Sequence, residues 1–350
     1  MNREFNLENL VRPNVHKMKP YSSARDEFKT EGEKMTFLDA NENPFENGVN
    51  RYPDPQQLKL KQVLASQKRV SVSNILLGNG SDEVLDLIFR AFCRPQVDNV
   101  ITLPPTYGMY KVLAELNEVE DRKVLLKNDF QPNVEKILAE VDDKTKLIFL
   151  CSPNNPTGNS FSEVSVEKIL RNFNGLVVID EAYIDFSADK SWLERLEEFP
   201  NLVITQTLSK AYGLAGIRLG ICYASAEIIS ILNKIKPPYN VNELTQHKAL
   251  ERLSKPEEVK QEIVVLLEER KRLENDLSKM GFVKQIFGSD ANFLLVRVED
   301  AGKKYEQLIK AGVVVRNRSN QELCENTLRF TVGTPEENNQ LIKILKQLEA

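Results

Sequence analysis

Apolar positions along the chain alternate between two kinds of run. Short unbroken stretches, Val100–Leu103, Leu147–Leu150, Leu176–Ile179 and Leu202–Thr205, are rich in aliphatic and β-branched residues. Runs without polar interruption suit strands covered on both faces, as in a parallel sheet. Between them apolar residues recur three and four apart, as at Val84, Leu85, Leu87, Ile88, Ala91 and Phe92, which is the spacing of a helix with one buried face. Strand and helix in repeated alternation predict an α/β domain with a mostly parallel, helix-covered sheet over residues 39–243. The pattern breaks at Lys236–Pro237–Pro238–Tyr239–Asn240, where two prolines stop a preceding helix. A long charged helix from about Pro256 to Met280 follows. Strands at Asn292–Val296, Val313–Val315 and Thr327–Thr331 and a closing helix through Leu341, Ile342 and Leu348 complete a smaller α+β domain, residues 244–350. Residues 1–38, with Pro13, Pro20 and little periodicity, read as an arm expected to pack with that smaller domain.

A chain of 350 residues exceeds what one small core organises, in keeping with two domains. Its 41% hydrophobic and 28% charged residues are those of an ordinary soluble globular protein. A net charge of −4 argues against a nucleic-acid surface. No apolar run approaches the roughly 20 residues of a membrane span. The start, Met1–Asn2–Arg3–Glu4–Phe5–Asn6–Leu7, has no secretory pattern, and Cys93, Cys151, Cys222 and Cys324 are scattered, so a reducing cytoplasm is expected. Neither those cysteines nor the two histidines, His16 and His247, offer metal-site spacing, so no metal is expected. With imidazoles this scarce, other side chains or a bound cofactor must carry the chemistry.

The candidate chemistry clusters at strand ends, where open parallel sheets collect ligands. Lys210 stands in Thr207–Leu208–Ser209–Lys210–Ala211–Tyr212–Gly213, with Arg218 eight positions later. A partly buried amine in small, nearly uncharged surroundings loses its proton readily and can hold a carbonyl cofactor as a Schiff base. Gly78–Asn79–Gly80–Ser81–Asp82–Glu83 leads into the helix near Val84, either as a phosphate cradle of free amides or as a plain turn and cap. Tyr107, in Pro105–Thr106–Tyr107–Gly108, is placed to cover a flat ring or to pack at a core rim. Ser152–Pro153–Asn154–Asn155–Pro156–Thr157–Gly158 stiffens a loop that presents an asparagine amide. Asp180 ends an apolar strand, where a carboxylate needs a cation: a protonated pyridine nitrogen, with Tyr183 near the ring hydroxyl, or a structural Arg or Lys. Together these groups describe a pocket for pyridoxal 5'-phosphate, whose ring is an electron sink.

Asn155–Pro156–Thr157–Gly158, Asp180-x-x-Tyr183 and Ser209–Lys210-x7-Arg218 resemble the signatures of class II, fold-type I, pyridoxal-phosphate-dependent aminotransferases. Arg12–Pro13–Asn14–Val15, Leu38–Asp39–Ala40–Asn41–Glu42–Asn43–Pro44, Arg51–Tyr52–Pro53–Asp54–Pro55 and Leu328–Arg329–Phe330–Thr331 extend the likeness over nearly the whole chain, towards histidinol-phosphate aminotransferases. The resemblance implies transfer of an amino group between glutamate and histidinol phosphate, with 2-oxoglutarate and imidazole-acetol phosphate as the keto partners. It gives Lys210, Asp180 and Tyr183 the catalytic roles. Gly80, Ser81, Asp82, Ser209 and Arg218 would hold the cofactor phosphate, with Asp82 and Glu83 turning their side chains outward. Asn155 and Tyr183 would flank the ring hydroxyl, and Tyr107 would stack on the ring. Tyr52 would reach the phosphate in the other subunit of a homodimer. Arg329 would bind the α-carboxylate, while Tyr21, Asn41, Asn155 and Arg316 face the substrate, with Arg318 either sharing that task or simply solvated. An aromatic aminotransferase or a threonine-phosphate decarboxylase shares much of this pattern and stays as an alternative.

Overall fold

The computed structural model describes residues 5–20 and 36–349. Seven strands form the larger sheet: β1 Ile75–Asn79, β2 Asn99–Thr102, β3 Glu120–Lys123, β4 Thr145–Cys151, β5 Leu176–Asp180, β6 Leu202–Thr207 and β7 Leu219–Ala224. Their order is β1-β7-β6-β5-β4-β2-β3. From β3 to β6 every neighbouring pair is parallel, and β7 runs antiparallel to both β6 and β1. The unbroken apolar runs follow from burial on both sides. Ile148, Leu150, Ile179 and Ile204 enter one hydrophobic cluster, while Leu147, Phe149, Val178 and Val203 enter another on the opposite face. All four expected strands are present. β3 escaped notice because its Glu-Asp-Arg-Lys sequence sits exposed or half-exposed at the sheet edge.

The smaller sheet comprises β8 Val283–Ile286, β9 Phe293–Val298, β10 Arg316–Asn317 and β11 Thr327–Thr331, ordered β10-β11-β9-β8 and antiparallel throughout. Leu273, Leu277, Leu294, Phe330 and Leu345 form its core with the helices Pro256–Leu277 and Pro335–Gln347. The strand expected at Val313–Val315 is not there. Val313 N–H still bonds the Leu308 carbonyl at the preceding helix end, so the ladder starts only at Arg316.

A second correction concerns the arm. Leu10, Val11 and Val15 pack into the cluster of Phe89, Phe92 and Ile228, on the helices of the larger sheet. Arg12 N–H bonds the Ala91 carbonyl at 2.9 Å, and its Nη1 bonds the Arg90 carbonyl at 3.0 Å. The described part of the arm therefore docks on the larger sheet, drawn by its apolar side chains, and not on the smaller one.

Candidate active site

The carboxyl ends of β1, β2, β4, β5 and β6 share one rim, and the reversed β7 sends its amino end there too. Asn79 pairs with Leu219 and Thr207 with Gly220, so Arg218 emerges beside Ser209 and Lys210. A cavity of about 260 Å³ opens at this rim. The larger sheet lines it with Ser81, Asp82, Tyr107, Cys151, Asn155, Asp180, Ala182, Tyr183, Thr207, Ser209, Lys210 and Arg218, and the smaller sheet adds Arg316, Arg318 and Arg329.

One end of the cavity is built from main chain. The helix Gly80–Phe92 starts directly after β1, and Gly80 has φ +78°, a left-handed conformation that favours glycine. A Cβ on Gly220 would sit 2.3 Å from Gly80 C and Ser81 N, so only glycine lets this helix start lie against β7. Ser81 and Asp82 of the first turn, at the positive helix end, thereby line the cavity with Ser209 beside them, while the Gly80 N–H is already given to the Arg218 carbonyl at 2.9 Å. Thr207 Oγ1 lies 3.0 Å from Ser209 Oγ and accepts the Ser209 N–H at 3.1 Å, which fixes the serine next to Lys210. The expectation that Asp82 turns outward fails. Its carboxylate lines the cavity, accepts the Tyr107 hydroxyl at 2.9 Å and lies 3.5 Å from Arg218 Nη2. Those two donors give an inward carboxylate partners that solvent would otherwise supply. Glu83 does turn away, accepting Asn79 N–H at 2.5 Å and Asn240 Nδ2–H at 2.8 Å.

At the floor, Asp180 is 3% exposed. It accepts the Tyr110 hydroxyl at 2.8 Å and the Ala182 N–H at 3.2 Å. Burial pushes its carboxyl above the usual range, against the hydrogen bond from Tyr110. Among the described residues no cation forms an ion pair with it. Lys210 stands over the Tyr183 ring, its Nζ 5.6 Å from the centroid. Much of the lysine's surface is open at the cavity mouth, yet its ammonium is enclosed enough for desolvation to dominate. Desolvation first, then Arg329 and Arg218, lower its pKa, while Asp180 opposes them. No described carboxylate pairs with it.

Asn155 links the two sheets: its Nδ2 points to the Tyr183 hydroxyl at 3.5 Å, and its Oδ1 accepts Arg329 Nη1–H at 2.5 Å. Arg329 lies over the Phe293 ring at 5.1 Å, and burial with the nearby Arg318 brings it down to about 10, still charged at neutral pH. Its Nε and that of Arg318 are buried without hydrogen-bond partners among the described residues. None of Arg316, Arg318 and Arg329 pairs with a described carboxylate. Half-buried Arg318 thus leaves the solvated reading behind. Three uncompensated guanidinium groups facing one cavity make a strong site for anions.

Tyr52 and Asn41 fall elsewhere, in an open depression with Glu42, Val49 and Leu244, where Tyr52 stacks on Tyr239 at 4.5 Å. Tyr21 lies outside the described residues. Sequence reasoning missed Tyr110, the hydroxyl that holds Asp180, although it sits three residues past Tyr107, in the first turn of the helix Met109–Leu116. Thr207 was likewise missed, and its place directly before Leu208–Ser209–Lys210 was the available signal.

The family model described as aminotransferase class I and II matches residues 29–345. A histidinol-phosphate aminotransferase of Flavobacterium johnsoniae is 64% identical over 345 residues, 98% of this chain and 99% of that protein. The crystal structure of the histidinol-phosphate aminotransferase from Clostridium acetobutylicum superposes with a TM-score of 0.80 at 25% identity, over 86% of this chain and 91% of the other. That of histidinol-phosphate aminotransferase from Sinorhizobium meliloti, in complex with pyridoxal-5'-phosphate, shares the fold with a TM-score of 0.77 at 24% identity, over 85% of this chain and 83% of the other.

Proposed function

The chain belongs to the class I and II aminotransferase family, and from that premise we propose that it exchanges an amino group between glutamate and histidinol phosphate. The keto partners are 2-oxoglutarate and imidazole-acetol phosphate, and the cofactor is pyridoxal 5'-phosphate. One observation carries the reading: a buried carboxylate without a described cation, an amine without a described carboxylate and three arginines without a described carboxylate converge in one cavity.

The residues fit that cofactor. Ser81, Ser209 and Arg218 would hold its phosphate, at a helix start that Gly80 turns and Gly220 brings close. Asp180 would pair with the ring nitrogen, the cation its burial calls for. Asn155 and Tyr183 would flank the ring hydroxyl, and Tyr107 would cover the ring face. When bound, the cofactor supplies an electron sink that stabilises negative charge at the substrate α-carbon.

The protein's own groups do the rest. Desolvation of Lys210 enlarges its neutral fraction at neutral pH, which attack on a carbonyl and removal of a proton from an α-carbon both require. Asp180 keeps a proton on the ring nitrogen. Arg329, anchored on Asn155 Oδ1, presents its fork to an α-carboxylate. Arg316 and Arg318 take the far-end anion, a carboxylate in glutamate or a phosphate in the other substrate, because a guanidinium matches either. Asn41 and Tyr21 complete the phosphorylated-substrate side. Tyr52 serves the cofactor phosphate of a second copy, which makes the enzyme a homodimer with shared sites. The four buried free thiols suit work in a reducing cytoplasm. Histidinol phosphate added to the holoprotein should bleach the cofactor's visible absorbance. A faster response to phenylalanine or threonine phosphate would overturn the substrate assignment.

A further inference from the structure

Two carboxylates stand beside an anion seat, and each must be kept from repelling its occupant. Asp82 faces the cavity, where Tyr107 and Arg218 hold it. Glu83 does not line the cavity: its Oε2 turns back towards β1, taking the Asn79 N–H at 2.5 Å and Asn240 Nδ2–H at 2.8 Å. Gly78 leaves room for that posture, since a Cβ there would lie 3.2 Å from Glu83 Oε2 and 2.8 Å from Val84 Cγ2.

Asn240 comes from the distant segment after the helix Ala226–Ile235. Its amide also donates to the Leu77 carbonyl at 3.0 Å, and its Oδ1 accepts Lys236 Nζ–H at 3.2 Å. With two acceptors on one side of the amide and an ammonium on the other, only one orientation satisfies every partner. Lys236 is buried and reaches the Pro55 carbonyl at 3.1 Å, so its charge is held behind the asparagine. Released from Asn240, Glu83 could swing along the first helical turn towards the seat, where a like charge is unfavourable.

We propose that Asn240, backed by Lys236, is a positioning residue of the cofactor-phosphate seat: it keeps the Glu83 charge turned away from the bound phosphate. The inference rests on reading that seat as a phosphate site. Titration of the apoprotein with pyridoxal phosphate and with pyridoxal, which lacks the phosphate, tests it. Asn240→Leu should weaken pyridoxal phosphate binding about tenfold and leave pyridoxal binding unchanged. Adding Glu83→Gln should restore most of the loss, which a general packing defect would not allow. Asn240→Asp, similar in size but repelling Glu83, should show the same phosphate-selective loss and keeps the test available if the leucine variant does not fold. Unchanged affinity in both variants, or loss of both ligands without recovery on Glu83→Gln, overturns the proposal. A wild-type protein that binds pyridoxal as tightly as pyridoxal phosphate would instead overturn the reading of the seat itself.

Discussion

A carboxylate at the floor of a cavity, one hydroxyl and one amide away from solitude, makes Asp180 the residue most sensitive to a change of charge without a change of shape. Asp180→Asn keeps the volume and can still accept from Tyr110. It should nonetheless lower the rate of amino transfer on the order of 10²-fold, in line with removing one preorganised electrostatic contact. Single-turnover kinetics against both amino donors would check this, with circular dichroism reporting an unaltered fold. Lys61 makes a different prediction. It is 4% exposed and drops from 10.5 to about 8, first through burial and then through Lys236, with Asp54 opposing. The folded chain thus binds this proton less tightly than the unfolded chain. The penalty is complete below about pH 8, fades as pH rises from there to 10.5 and is gone above, so stability from this group increases over that window. Lys61→Met should flatten the rise and add on the order of 3 kcal/mol at neutral pH, measurable by denaturant unfolding at several pH values. The chemistry at this scale was legible because Lys210, Asp180, Asn155 and Arg218 are unusual residues for the ends of apolar runs. Side-chain direction was not legible, which is why Asp82 was misjudged and Tyr110 overlooked: both depend on contacts between segments far apart in the chain.

Among the elements, the pairing of β7 with the helix Gly80–Phe92 decides the geometry of the anion seat. Gly220→Ala would drive a methyl into Gly80 and Ser81 main-chain atoms at 2.3 Å, and main chain cannot rotate aside. The expected outcome is a stability loss of about 1–3 kcal/mol, as for overpacking. Pyridoxal phosphate affinity should fall as well, because the helix start is displaced from its ligand. Thermal melts of the apoprotein and an equilibrium titration would measure the two effects separately. The four central strands were readable from their apolar runs, buried on both faces. β7 was not, since Gly220 and Cys222 interrupt its aliphatic character, and β8, β10 and β3 were lost because edge strands are polar or short. The start of the long helix is readable from Pro256, while its end lies at Leu277, three residues before the expected Met280, because no glycine or proline marks the stop before Gly281.

For the molecule as a whole, the proposed homodimer draws support from apolar side chains left uncovered near Tyr52. Leu244, 66% exposed, lines the same depression as Tyr52, and Leu38 and Phe45 in the neighbouring segment are 87% and 80% exposed. If each site borrows Tyr52 from the other subunit, Lys210→Ala and Tyr52→Ala chains are both defective, but a mixed dimer retains one intact site. Refolding the two together should recover roughly a quarter of wild-type activity by random pairing in a two-fold dimer. Activity no higher than the sum of the separate variants would remove the shared-site arrangement. Chain order and sheet order also disagree in an instructive way: β1 is the first strand of its sheet to be synthesised and β7 the last, yet they are neighbours. Long-range pairings of this kind form late, because the intervening chain must be gathered first. The ribosome has therefore to deliver the whole stretch through Ala224 before the vitamin has anywhere to dock. Nascent chains stalled short of Leu219 should stay colourless.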